Sequence, residues 1–304
     1  MSRAGLPTPA TAPRTVEEAV EAARRRLEAA GIEAAESEAA QIAGAVLSWG
    51  WGELLLRRQE EVPAEAARQI EGLLRERLRR RPLQYVLGRT AFRDLVLKTD
   101  PRALIPRPET ELLAEEAIRR LAARPAEGEW LVADVCCGCG ALGLSVAAEL
   151  PQARVILTDV SAEALDLARE NVPLVPGVGA RVEFRQGPDL APLADVAGTL
   201  DAIVCNPPYV ATGELGALQP EIGYEPRLAL DGGEDGLDFY RRIAGQWRRF
   251  VRPDGFLAVE VGAGQAEEVR SLLGRGESVQ VHTRRDYGGI ERVVVVYRER
   301  GGAR

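Results

Sequence analysis

From Trp130 onward the chain repeats short apolar runs, LVADV, VILTD, VEFRQ, DAIVC, FLAVEV, VQVHT and RVVVVYR, with helical patterns such as ALGLSVAAEL and SAEALDLAREN between the early ones. Strands covered on both faces read as continuous apolar runs, and parallel neighbours need a crossover to join them. The rhythm therefore predicts βαβ units and an α/β, doubly wound, mainly parallel seven-stranded sheet with helices on both faces. The last two runs follow each other without a clear helix, so an antiparallel hairpin is expected at the far edge. Ligands of such sheets bind outside the carboxyl ends of the strands, near the switch in strand order.

Upstream the texture is helical. Thr15 and Glu18 form a capping box that opens TVEEAVEAARRRLEAAG, and Gly31 closes it. Amphipathic stretches follow in ESEAAQIAGAVLSW, around GELLLRR, and from Pro63 to Arg81, which predicts a small all-α N-terminal domain over residues 15–82 with no chemical motif of its own. Residues 83–104 have the alternation and turn residues of a hairpin linker, and a helix is expected after Pro108. The main domain then covers 105–304. Residues 1–14 read as a disordered leader without the apolar stretch of a secretory signal, and no run approaches about 18 apolar residues. Both points predict a cytoplasmic protein without a membrane partner.

Composition removes several chemistries. A net charge of −7 repels polyanions at long range, so no direct nucleic-acid partner is expected. The dense run Arg75, Arg77, Arg79, Arg80 and Arg81 reads first as a solvated helix face. Of the four cysteines, Cys136, Cys137 and Cys139 crowd into CCGCG, at spacings unlike those of zinc pairs. His282 is the only histidine. A metal site or a Ser/His/Asp triad has little to be built from.

The strand ends carry the chemistry. The first strand of the sheet runs into DVCCGCGALG, where small residues around Cys136, Gly138 and Gly140 let backbone pass close to a ligand and a helix N-terminus follows. The next strand ends on Asp159, an acidic group placed to accept from ribose hydroxyls; Ser161 is better placed to cap the following helix. A later strand, expected beside the first, ends on Asn206-Pro207-Pro208-Tyr209. Stopping a strand accounts for one proline but not for the rest. Cofactor turn and tetrapeptide would face one crevice.

These residues resemble the S-adenosylmethionine-dependent methyltransferases of class I, Rossmann-like fold that carry an Asn-Pro-Pro-Tyr motif and methylate planar nitrogens. The motif alone does not separate a glutamine amide from the exocyclic amine of adenine in DNA or RNA. The stretches PLQYVLG at 82–88, LIPRPETELL at 104–113 and QPEIGYEPRLALDGGEDGLDFYRRI at 219–243 narrow the resemblance to the HemK-type protein-glutamine methyltransferases. It implies S-adenosyl-L-methionine as cofactor and bacterial class 1 peptide-chain release factors as partners, methylated on the glutamine of their Gly-Gly-Gln motif. It further implies that Asn206, Pro207, Pro208 and Tyr209 hold the amide, with Asn206 also near the cofactor. Cys136, Cys137, Gly138, Cys139 and Gly140 would hold the cofactor's amino acid and ribose, and Asp159 its hydroxyls. Asp189 is expected near the adenine, and Arg107 and Glu109 beside the methionine group. In this loop Cys136 stands where the family has its first glycine, and Cys137 and Cys139 replace hydroxyl residues. A cofactor-binding scaffold that has lost catalysis is the reading that this change would favour.

Overall fold

The computed structural model describes residues 14–124, 128–275 and 279–298. Of the expected leader, residues 1–13 lie outside this range, while the Arg14 carbonyl already accepts from Val62 N. The chain divides into two compact units at Leu87/Gly88.

The first unit contains α1 (Val16–Ala29), α2 (Ala35–Leu47), α3 (Trp51–Leu56), α4 (Ala64–Leu78) and α5 (Leu83–Leu87). Thr15 and Glu18 form the capping box of α1, and Gly31 follows in the left-handed region at φ 71°. Val16, Ala23, Leu27, Ala39, Ile42, Ile70 and Leu74 fill its core. The basic run is not a free patch: Arg75 pairs with Glu71, Arg79 and Arg81 with Glu76, and buried Arg77 with Glu38 at 2.6 Å. Helix α4 stops at Leu78, short of the expected Arg81, because Arg80 adopts φ 66° and Pro82 follows.

The stretch read as a hairpin linker differs from expectation. Residues 83–87 are helical, and the hairpin is confined to β1 (Arg89–Phe92) and β2 (Leu95–Lys98), paired antiparallel. It is part of the second unit, since Phe92 and Leu97 are fully buried in that unit's core. Burying an aromatic and a leucine outweighs any tendency of so short a hairpin to stand free.

After α6 (Pro108–Ala122) come β3 (Trp130–Val135), α7 (Ala141–Glu149), β4 (Ala153–Asp159), α8 (Ala162–Asn171), β5 (Val182–Gln186), β6 (Leu200–Cys205), α9 (Asp238–Ala244), β7 (Val251–Glu260), α10 (Ala266–Leu273), β8 (Val279–Arg285) and β9 (Glu291–Arg298). The sheet runs β5-β4-β3-β6-β7-β9-β8. β3 to β7 are parallel, and β9 lies antiparallel between β7 and β8. All seven expected strands are present, including the edge hairpin. Alternate residues serve opposite faces: Val132 and Val204 join the core under α6, α7 and α8, while Ala133, Val135, Ile203 and Cys205 join the one under α9 and α10.

Asn171, wholly buried at the end of α8, ties hairpin to sheet. Its Oδ1 accepts from Lys98 N (2.7 Å), and its Nδ2 donates to Lys98 O (3.1 Å) and Cys139 O (2.9 Å). Asn171→Ala strands these groups, and the expected loss is about 2 kcal/mol of unfolding free energy. Denaturant titration checks it; a midpoint within error of the parent would show that the tie carries no stability.

Candidate active site

A cavity of about 480 Å3 opens at the carboxyl ends of the parallel strands, where the order switches from β4 to β6 around β3. The turn after β3, the ends of β4 and β5, the start of the tetrapeptide and the N-terminal turn of α6 all reach its wall.

The 136–140 turn is held by backbone rather than by its own side chains. Cys137 N donates to Thr158 O (3.0 Å), Gly140 N to Cys137 O (2.8 Å) and Gly138 N to Asp159 Oδ2 (2.9 Å). Cys136, Gly138 and Gly140 lie at φ 58°, 55° and 85°. For Cys136 this left-handed backbone costs about 1–2 kcal/mol that glycine would not incur. Cys136 packs against the core layer that contains buried Cys205, whose own pKa burial drives upward. All four cysteines are free thiols.

Two carboxylates line the wall without an arginine or lysine partner among the described residues. Asp134 accepts from Gly143 N (2.8 Å) in the first turn of α7, and complete burial pushes it up to about 8. Asp159 accepts from Gly138 N and Ser161 N, and burial raises it as well. Ser161 caps α8 by accepting from Ala164 N, as its position suggested. Gly187, Pro188 and Asp189 also face the cavity. Both carboxylate oxygens of Asp189 are occupied by Arg242, at 2.8 and 3.0 Å.

The tetrapeptide leaves β6 beside this turn, since Val135 stands opposite Cys205. Asn206 and Pro208 reach the wall; Pro207 and Tyr209 are not part of it. Asn206 Nδ2 donates to Thr110 Oγ1 (2.9 Å), and its buried Oδ1 meets no donor among the described residues. Thr110 Oγ1 donates to Glu260 Oε2 (2.7 Å), and the Tyr209 hydroxyl donates to Glu260 Oε1 (3.2 Å). Burial pushes Glu260 up to about 7, against the lowering effect of these two hydroxyls. Tyr209 is raised too, by burial first and then by the Glu260 charge.

The backbone beyond is gripped closely. Tyr209 O accepts from Gln265 Nε2 (2.9 Å), and Gly236, at φ 77°, packs so near that a Cβ there would stand 2.2 Å from this oxygen. Gly232 N donates to Val210 O (2.8 Å) and Val210 N to Leu230 O (2.9 Å), so the segment that leads into GGEDG clamps the motif's exit.

Arg107 and Glu109 fall outside the cavity wall, contrary to expectation. Buried Glu225 needs a cation and takes the Arg107 guanidinium, together with Ile105 N at 3.0 Å, while Glu109 stands 4.0 Å from Arg292. The pair 107/225 instead ties the 219–230 loop, whose Pro226, Leu228 and Ala229 help line the cavity. Sequence reasoning missed Thr110, Glu260, Glu225 and Gln265. The available signal for Glu260 was a lone acid at the end of an otherwise apolar strand, FLAVEV.

Residues 18–88 match the PrmC N-terminal domain and residues 110–221 the methyltransferase small domain. The release factor glutamine methyltransferase of Moorella thermoacetica is 41% identical, over 93% of this chain and 99% of that protein. That of Geobacter sulfurreducens is 38% identical, over 92% and 95%. The crystal structure of a release factor-specific protein-(glutamine-N5) methyltransferase from Alicyclobacillus acidocaldarius is 31% identical and covers 67% of this chain and 100% of that one, with a TM-score of 0.43. A methyltransferase from Pyrococcus furiosus, 16% identical over 69% and 92%, shares the fold at a TM-score of 0.50. With a glycine-containing turn, an acid at the next strand end and an Asn-Pro-Pro-Tyr exit around one cavity, this chain belongs to the release factor glutamine methyltransferase family.

Proposed function

We propose that this protein transfers a methyl group from S-adenosyl-L-methionine to the side-chain amide nitrogen of the glutamine in the Gly-Gly-Gln motif of bacterial class 1 release factors. The observation that carries the reading is Asn206 Oδ1, a buried acceptor without a donor among the described residues, at the wall of the cavity that also holds the 136–140 turn and Asp159.

The cavity fits a cationic nucleoside cofactor. Asp134 and Asp159 are buried carboxylates without cationic partners among the described residues, and a ligand that brings positive charge relieves both. Asp159 keeps lone pairs for ribose hydroxyls beyond the two backbone donors it serves. Cys136, Cys137, Gly138 and Cys139 line the cavity and offer close backbone, with Gly140 setting the turn. S-adenosylmethionine supplies an electrophilic methyl group on a sulfonium when bound.

An amide nitrogen is a poor nucleophile because its lone pair is delocalised, so the protein's task is to hold it and favour the positive charge it gains. In this reading Asn206 Oδ1 and the Pro207 carbonyl accept from the two amide N–H bonds. The prolines stiffen the chain between these oxygens. Tyr209 stands outside the wall, half-buried with its hydroxyl fixed on Glu260, and in this reading offers its flat ring to the planar group when substrate binds. The proton becomes acidic only after transfer and leaves to water, so no histidine base is needed. A translation-factor substrate goes with a cytoplasmic protein, and no helix among the described residues is long and apolar enough to cross a membrane. A net charge of −7 and a paired arginine run argue against direct nucleic-acid binding.

Incubation with radiolabelled cofactor should label a release factor but not its Gln→Ala variant; equal labelling of both overturns the substrate, and label in DNA or RNA supports adenine instead. Asn206→Ala should lower kcat by about 10²–10³-fold, the scale of losing one placed electrostatic partner.

Asp134 separates stability from binding. Its folded value of about 8 lies above the ordinary aspartate value of 3.8, so its ionisation opposes folding, and stability falls as pH rises between those values. Asp134→Asn should therefore leave the ligand-free melting temperature at pH 8 equal or higher, yet weaken cofactor binding about tenfold, which is one pKa unit's worth of interaction. Scanning calorimetry and titration calorimetry read the two effects; unchanged affinity would remove Asp134 from the cofactor site.

A further inference from the structure

We propose that Thr110 and Glu260 are positioning residues that fix which end of the Asn206 amide is offered to the substrate. The inference rests on the methyltransferase reading above and adds two residues from distant elements, the first turn of α6 and the last residue of β7.

An asparagine amide can be turned end for end at almost no steric cost, so packing alone does not decide whether the oxygen or the NH2 group faces a ligand. Here the hydrogen-bond chain decides it. A carboxylate can only accept, and both Glu260 oxygens are engaged by hydroxyls: Oε2 by Thr110 and Oε1 by Tyr209. The single Thr110 hydrogen is thereby committed to Glu260, and only lone pairs of Oγ1 remain toward Asn206. Asn206 must answer with a donor, and Nδ2 stands at 2.9 Å. The oxygen is left as the free end, the polarity required to receive an amide N–H. Were Thr110 to turn its hydrogen round, Asn206 would present NH2 to the substrate's own NH2 and repel it.

The same carboxylate serves both ends of the tetrapeptide. Asn206 is reached through Thr110 and Tyr209 directly, so the spacing between acceptor and aromatic ring is set from one point. Thr110 and Glu260 are buried and Tyr209 half-buried, an environment where hydrogen bonds polarise one another and an unpaired member is costly. Tyr240, also wholly buried, donates to the Glu260 backbone oxygen (2.7 Å) and steadies the strand end itself.

The charge state of Glu260 sets the direction of the chain. Glu109 from α6 raises its affinity for a proton, and Arg292 from β9 lowers it, with Thr110 and Tyr209 in direct contact. Arg107 acts on Tyr209 from the same side. Protonation turns one oxygen into a donor and releases the order at Thr110 or Tyr209. Activity is therefore held above a midpoint near 7 and lost as pH falls through it.

Only two asparagines, Asn171 and Asn206, occur in the chain, so 15N-asparagine labelling gives two side-chain amide pairs. In the parent protein, without cofactor or substrate, one Asn206 proton should be protected from exchange. Thr110→Val should remove that protection, shift the pair and lower kcat about a hundredfold, the size of an ångström-scale misplacement, with KM for the release factor little changed; Thr110→Ser should restore both. Glu260→Gln should flatten the pH profile at a low kcat, because one of the two positions that accept from Thr110 and Tyr209 becomes an NH2 donor. If Thr110→Val does not fold, Glu260→Gln carries both readouts. Parent-like Asn206 amide signals, or kcat within about threefold of the parent in a folded variant, overturn the proposal. A parent that labels no release factor yet shows the protected proton sinks the substrate reading and leaves the hydrogen-bond chain standing.

Discussion

The parallel pairing of β3 with β6, which puts Val135 opposite Cys205, determines what can meet at the carboxyl edge. Crossovers through α7 and α8 carry the chain outward to β4 and β5, and β6 then returns to the other side of β3. The crevice at that reversal is a product of connection, and no side chain is needed to open it. On one side stands the turn of residues 136–140, on the other Asn206. Each subsequent demand on the sequence is local: close backbone on one side, an oriented acceptor on the other.

These demands act against stability. Cys136 adopts a backbone suited to glycine, and among the described residues two carboxylates beside the cavity have no cationic partner and Asn206 Oδ1 no donor. Such features persist when surrounding structure over-determines them. Here Asn171 and the Thr158 carbonyl hold the turn, Gln265 and the Gly236 backbone hold the motif's exit, and two apolar layers cover the sheet. The uncompensated groups face the cavity, where a cationic, hydroxyl-bearing ligand and an amide can satisfy them together.

What the sequence revealed follows from whether the signal was local. Seven apolar runs and a capping box are short-range patterns, and all appear as expected. Asp159 and Asn206 were legible because a strand end in a parallel sheet has a known address. Leu83–Leu87 was misread because five apolar-rich residues between turns fit a strand as well as a helical turn, and burial of Phe92 and Leu97 decided where the hairpin belongs. Arg107 was misplaced for a different reason. Its partner Glu225 lies 118 positions away, and that buried carboxylate takes the guanidinium expected beside the methionine group. Thr110 and Glu260 were missed because their roles depend on a contact between residues 150 positions apart, which the lone acid in FLAVEV hints at but does not specify.

The cysteine-rich turn shows how the two sides of the crevice differ in their tolerance. Where the work of a loop is done by backbone N–H and C=O groups, side chains can change provided the φ angles survive. Cys137 and Cys139, both buried, keep that geometry through bonds to Thr158 and Asn171 that ignore side-chain identity. Cys136 retains φ 58° while it packs against the core layer that contains Cys205, so this packing offsets part of the strain that a Cβ introduces. The opposite side has no such freedom. Asn206, Thr110 and Glu260 act through the direction of side-chain hydrogen bonds, and no backbone group offers two acceptor oxygens side by side as the Glu260 carboxylate does. The cofactor turn can therefore accept side-chain changes that the acceptor side cannot, a consequence of which atoms carry each interaction.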